Sequence, residues 1–561
     1  MKRLIIKNGL VFDPLNNIDG EIKDILIENS KIVEKFSKGT DIKDIKEINA
    51  NGKTVIPAAI DIHTHIASQQ VNWIRLLGTK NEVFKKVWNN LSLEKVACDY
   101  ISNGYTFILE ANVYPSLAKQ TIFNFKHLPV LDKAMLLNVS NIWPLELEFQ
   151  RGKIEDMAVF LSDLLSITKG FGFKVYNPFE AESWNFNSLR KEVSGKGKLY
   201  NFSALDVYEN LTKANEHLGL PHSIQAHIEG YEDLKSKNNL FTILNKINSL
   251  NLEPASKISR EIKRSQSFHV AHASAYNVDG NNSELINIVN SNENIELDLG
   301  FIGFDQINPL ITSDRRLIDS LLKTNNSEAT HKLIRAAIEF EGDTFATFRN
   351  FDKKNIANCY LWANALDIAL SVKNIWQMQF SINYPNYANI TDVPEIATWL
   401  MSKSARDNFM KDMNSEFLKD NSLINNDKTL TFNDFVILTR ASPAKSLGLG
   451  SIKGNLGVGA DADINIIDIS INEIDISKNP DSIKTALSNI EYVIKAGNII
   501  KEQEKIDLSH QGKIFWSQGK PEKGDKSLIM KIKREFYEKF GSIFYDSLKV
   551  SIENESLREI K

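Results

Sequence analysis

Apolar and polar positions change rhythm twice along this chain. Over residues 1–57, short apolar runs such as Leu4-Ile5-Ile6, Gly9-Leu10-Val11-Phe12, Ile25-Leu26-Ile27, Lys31-Ile32-Val33 and Thr54-Val55-Ile56 alternate with turn-forming Gly20, Asn29-Ser30 and Asn51-Gly52. Short runs punctuated in this way predict the strands of a small sheet or sandwich. From residue 58 to 444 the runs lengthen and alternate with stretches of helical period. Strands are predicted over Tyr105–Glu110, Gly172–Tyr176, His222–His227 and Ser267–His272, and helices over Glu155–Lys169 and Ala204–Leu218. A long β/α alternation predicts a parallel sheet covered by helices, closed as a barrel or doubly wound. Strand-and-turn texture returns over Gly454–Asp468 and Ile490–Ile500. The first and last segments therefore predict one sheet with the β/α region inserted between its halves. The division is 1–57 and 445–515 for the two parts of that β-sandwich, 58–444 for the barrel, and 516–561 for a helical tail that includes Asp525–Phe540.

Composition narrows the function classes. At 561 residues the chain exceeds one simple core, and 42% hydrophobic with 25% charged residues is a globular balance. A formal net charge of −4 gives no electrostatic case for nucleic acid or an anionic membrane. No stretch approaches the ~20 apolar residues of a membrane span. Cys98 and Cys359 stand far apart, which excludes a disulfide framework and a cysteine zinc site and fits a reducing compartment. The segment Met1–Lys7 lacks a long apolar leader core, so a cytoplasmic location is expected.

The candidate chemistry starts at Ile60-Asp61-Ile62-His63-Thr64-His65. Alternate residues of a strand share a face, so His63 and His65 project together, and two neutral imidazoles so placed suit a divalent metal such as zinc. If the middle region is a barrel, chemistry belongs at the C-terminal ends of its strands. Lys174 lies inside the apolar run Phe173-Lys174-Val175-Tyr176, where a bare ammonium is costly unless paired, shifted or modified. His227 and His272 close two further apolar runs. Each alone reads as a hydrogen-bonded core residue; the set in this order reads as a metal site.

His-x-His, a strand lysine, two separated histidines, Leu438–Lys445 and the Gly457–Asp463 stretch together resemble the amidohydrolase superfamily. The stretches Val71-Asn72-Trp73-Ile74-Arg75, Lys174–Pro178, Leu220–Ile224, Ala397–Ser402 and Gly512–Trp516 resemble one branch of it over nearly the whole chain. That branch comprises the amidohydrolase-like subunits of formylmethanofuran dehydrogenase and of the related formyltransferase/hydrolase complex. The resemblance implies a (β/α)8 TIM-type barrel with a small β-sandwich, and a binuclear zinc site bridged by carboxylated Lys174. It implies His63, His65, His227 and His272 as further metal ligands, and the other subunits of the complex as partners. It also implies a methanofuran-type C1 carrier whose N-formyl group is interconverted with formate and the free amine. Asn72 and Arg75 become candidates for contacting an anionic substrate tail. No molybdopterin or iron–sulfur motif is present, which assigns any redox step to a partner.

The chain departs from the pattern where the family carries a catalytic aspartate in a Thr-Asp-x-Pro-Asn context. Here the stretch is Ser381-Ile382-Asn383-Tyr384-Pro385-Asn386, which puts Asn383 in that place. An amide cannot accept the proton, and general-base catalysis is typically worth about 10²–10⁴-fold. A rival register through Thr391-Asp392-Val393-Pro394 is disfavoured, because Val393-Pro394 and Trp399 match the family's following helix. Gln225 stands where the branch carries histidine, and Ile228-Glu229-Gly230-Tyr231 replaces a His-Cys-Asn-type stretch. Two other readings follow: a member of the complex kept as scaffold with an impaired site, or a dihydropyrimidinase- or aminoacylase-like hydrolase.

Overall fold

The structure is a computed structural model describing residues 3–37, 45–68, 71, 91–140, 143–178, 192–197, 201–228, 236–254, 264–304, 306–312, 345–521, 523–539 and 544–560. Asn72, Arg75 and the Glu229–Tyr231 stretch lie outside the described residues.

Eight parallel strands form the barrel in chain order: Ala59–Thr64, Tyr105–Val113, Asp132–Asn138, Gly172–Tyr176, Ile224–His227, Phe268–Val270, Ile295–Asp298 and Met378–Gln379. Every residue in them is buried. That is why their sequences read as apolar runs rather than alternating ones, since helices cover the outer face and side chains fill the inner one. The ring is completed where Thr64 bridges Tyr384, with the His65 amide donating to the Tyr384 carbonyl at 2.7 Å. Local signals set the helices between strands. Ala204–Leu218 starts at a capping box in which Ser203 and Asp206 each bond the other's backbone amide, and it stops at Gly219 in the left-handed region at φ 66°. The other predicted helix runs over Ile154–Thr168.

The terminal segments combine into one nine-stranded sheet with its own core. The strand Arg3–Asp13 pairs with Ile18–Glu28, Ile45–Asn49 and Thr54–Pro57. Thr54–Pro57 in turn pairs antiparallel with Ile464–Ile467, matching Val55 to Ile466. The closing segment holds the expected helix, Ser527–Lys539, and in addition a strand, Leu557–Ile560, paired in parallel with Ile514–Ser517. Phe515 from this pair packs with Ile60, Ile62, Phe107 and Leu109 to fill the lower barrel interior.

A buried charge hub joins these layers. Asp461 and Asp463 of Gly459-Ala460-Asp461-Ala462-Asp463 meet Asp132 of the third barrel strand, with oxygens of the three within 4.8 Å of one another. Such a cluster could hold a metal ion, but the Lys453 ammonium sits inside it, 2.6, 2.9 and 2.5 Å from Asp132, Asp461 and Asp463. Lys495 touches Asp132 and Asp463, while Lys31 and Arg558 touch Asp461. Lysine and arginine thus do what a cation would, and the hub ties sheet, barrel and final strand together. Arg440, buried on the Ile437–Ala441 turn, donates to the Pro57 carbonyl at 3.0 Å and pins the entrance of the first barrel strand.

Candidate metal centre

The strand ends deliver His63, His65, Lys174, His227, His272 and Asn383 to one cleft of about 340 Å³, completed by Asn112, Tyr176, Leu310 and Asn386. His63 and His65 leave the first strand on the same side, ring centres 5.4 Å apart. His272 follows the sixth strand and lies 5.2 Å from His63 and 4.7 Å from His227, centre to centre. Its backbone is left-handed, φ 35°, and Gly300 backs it so closely that a Cβ there would lie 2.6 Å from the His272 Cβ. Asn383 is also left-handed, φ 43°. Non-glycine residues held in this region collect at functional sites.

Two imidazoles are aimed by a hydrogen bond at Nδ1, and a third has a carboxylate oxygen nearby. His63 meets Asp298 at 2.9 Å, His65 meets Glu110 at 3.4 Å, and His227 meets Asn177 at 2.8 Å. Glu110 is itself fixed by the Ile66 and Ala67 amides, at 2.8 and 2.6 Å. With Nδ1 engaged in His63 and His227, Nε2 is the nitrogen left for the cleft, which is the second-sphere arrangement of metal-bound histidine. Burial also keeps the His63, His227 and His272 rings neutral. It pushes His63 down to about 3 and His227 and His272 well below the ordinary imidazole range. Neutral imidazole is the ligating form.

Lys174, in the fourth strand, is wholly buried, and burial pushes its ammonium down to about 7. Its Nζ donates to Gln225 Oε1 at 2.6 Å. Beneath the cleft, Asp298 accepts from the His272 amide at 2.7 Å and from Ser381, and meets His269 Nε2 at 3.0 Å. Burial opposes protonation of His269, but its bonds to Asp298 and Glu296 outweigh that and raise it to about 8. The donor set fits a pair of divalent metals: four imidazoles, two of them aimed from behind by hydrogen bonds, and a lysine able to carry a bridging carboxylate.

Asn383 lines the cleft, and its Oδ1 accepts from Asn386 Nδ2 at 3.2 Å. Asp392, the rival, instead caps the turn Ile390–Asp392 and accepts from the Asn389 amide at 2.8 Å. Sequence reasoning misses Asp298, Glu110 and Asn177. The signal for the first is Ile295-Glu296-Leu297-Asp298-Leu299, two acids on one face of an apolar run.

An eight-stranded parallel barrel with this strand-end cleft and a sheet built from both termini defines an amidohydrolase-type protein. The sequence signature of the Amidohydrolase family matches residues 385–501. Protein FwdA of Methanocaldococcus jannaschii is 30% identical over 520 residues, spanning 89% of this chain and 89% of that one. The FhcA component of the formyltransferase/hydrolase complex Fhc from Methylorubrum extorquens is 24% identical over 531 residues, 91% of this chain and 90% of that one. The chain belongs to the FwdA family, which includes the corresponding component of the formyltransferase/hydrolase complex. The crystal structure of the FhcABCD complex from Methylorubrum extorquens with methylofuran shares the fold, at a TM-score of 0.83 and 20% identity over 100% of this chain and 99% of that one. Among the described residues, no helix is long and apolar enough to cross a membrane.

Proposed function

We propose that this chain is the FwdA-type subunit of a formylmethanofuran dehydrogenase-like or formyltransferase/hydrolase complex. In it the chain interconverts an N-formylated methanofuran-type carrier with formate and the free amine, working beside the other subunits. The observation that carries the reading is the convergence of His63, His65, Lys174, His227 and His272 on one cleft. His63 and His65 would hold one zinc, His227 and His272 the other, with carboxylated Lys174 between them. When bound, such a pair supplies Lewis acidity for a formamide carbonyl and a water acidic enough to react at neutral pH. The chain's own residues hold this site in place. Asp298 and Asn177 fix two of the imidazoles, Glu110 lies beside His65, and Tyr176 and Leu310 wall the cleft. An anionic carrier tail would be met by Asn72 and Arg75, which follow the first strand in sequence.

Asn383 favours a second reading, in which the protein is retained as scaffold. Bonded to Asn386, its neutral amide can orient a substrate but takes up no proton. Metal analysis of the purified chain, with formamide hydrolysis by wild type and Asn383→Asp, separates the two. The catalytic reading expects about two zinc per chain and turnover by wild type. Absent metal, with no turnover even in Asn383→Asp, would leave the scaffold.

A further inference from the structure

Gln225 is the departure from the resembling branch that touches the lysine directly. It is fully buried in the fifth barrel strand, in register with Lys174 of the fourth. Its Oε1 accepts from Lys174 Nζ at 2.6 Å, and its Nε2 donates to the Ile62 carbonyl at 3.4 Å. The two contacts settle the amide's orientation, because flipping it would set N–H against N–H at the lysine and oxygen against oxygen at Ile62. Among the described residues, Gln225 is the hydrogen-bond partner of Nζ.

We propose that Gln225 is a positioning residue for the carboxylated form of Lys174: its amide oxygen takes the one N–H that the lysine nitrogen keeps, and so turns the new carboxylate toward the four histidines. This rests on the carboxylated lysine of the proposed function. In that step the Nζ lone pair attacks the carbon of dissolved carbon dioxide. A C–N bond forms, one C–O π bond opens to a carboxylate oxygen, and one nitrogen proton leaves to water. An amine and carbon dioxide thus give a carbamate and a proton. The carbamate nitrogen is planar with a single hydrogen, so whichever group accepts that hydrogen sets the direction of the carboxylate. Glutamine suits the place because its oxygen is always an acceptor. The histidine of the branch accepts only through the ring nitrogen that lacks a proton.

The test uses the full-length protein equilibrated with ¹³C-bicarbonate. Carbamate is read by ¹³C NMR and zinc by elemental analysis, for wild type, Gln225→Leu and Gln225→Glu. Wild type is expected to carry one labelled carbamate on each chain. Gln225→Leu, lacking the acceptor, should need about tenfold more bicarbonate for half-labelling, the worth of one buried hydrogen bond, with zinc falling in parallel. Gln225→Glu keeps an acceptor but sets a carboxylate beside the forming one, and should label less than Gln225→Leu. Should Gln225→Leu fail to fold, Gln225→Met removes the acceptor with a side chain of similar length. Labelling of the acceptor-free variant at the wild-type bicarbonate concentration overturns the role of Gln225 alone. A wild type without label overturns the carboxylated bridge itself, and this inference with it.

Discussion

Replacing Lys453 with methionine removes the cation that touches Asp132, Asp461 and Asp463 together and leaves the apolar stem in place. The lysine side chain is 2% exposed, so water cannot take over its role. At an effective dielectric of about 20, each contact is worth roughly 6 kcal/mol gross. Most of that offsets dehydration of the charges. Breaking a buried ion pair from one side typically costs about 3–5 kcal/mol net, because the remaining charge stays buried. The loss should fall where the hub joins elements, at the strands Ile464–Ile467 and Asp132–Asn138. Native-state hydrogen exchange of their amides should accelerate by on the order of 10²–10³-fold or more. Lys419→Met, which breaks a surface pair with Glu416 at 70% and 66% exposure, should leave those amides unchanged. With a chelator present the difference between Lys453→Met and wild type should persist, since an ammonium rather than a metal neutralises the three carboxylates. Exchange in Lys453→Met within about threefold of wild type, below roughly 1 kcal/mol, would refute the hub as the joint between sheet and barrel.

The same hub sets an acid limit. Asp132 and Asp461 are held below the usual carboxylate range by Lys453 and its neighbours, against the opposing pull of burial. Their contribution is therefore complete above the unfolded value near ~3.9 and is lost as pH falls toward the folded values, so urea resistance should drop below about pH 4. Asp298→Asn keeps the shape behind His63 but removes the charge, and zinc competition against a chelator should show about 10–100-fold weaker binding. Phe515→Ala empties a fully buried position in the barrel floor and should cost about 3–5 kcal/mol in urea unfolding. A loss under about 1 kcal/mol would mean that the floor collapses to fill the space.

What can be read from sequence is local. His63 and His65 share a face because a strand has period two, and Lys174 stands out because an ammonium in an apolar run needs an explanation. A parallel sheet covered by helices follows from alternation, its closure as a barrel only from the family resemblance, and the helix Ala204–Leu218 from its amphipathic stretch. Contacts between distant residues are not legible. Asp298 reaches His63 across 235 positions, and Asp132 reaches Lys453 across 321. The Gly459–Asp463 stretch is visible as a pattern, yet its purpose depends on a lysine and an aspartate that no spacing rule connects to it. Gln225 reads only as a departure, and its partner on the adjacent strand becomes visible in the pairing of Gln225 with Lys174.

The pairing of Val55 with Ile466 also bears on how the protein is made. A ribosome adding ~5–20 residues per second needs roughly 20–80 s to reach the partner strand, about 400 residues downstream. During that interval Thr54–Pro57 presents an open hydrogen-bonding edge to the crowded cell. That edge is only four residues long and ends in Pro57, which offers no N–H, and short strands and proline are features that discourage edge-to-edge association. The stretch that the nascent chain must hold open longest is therefore a short one, closed by a proline.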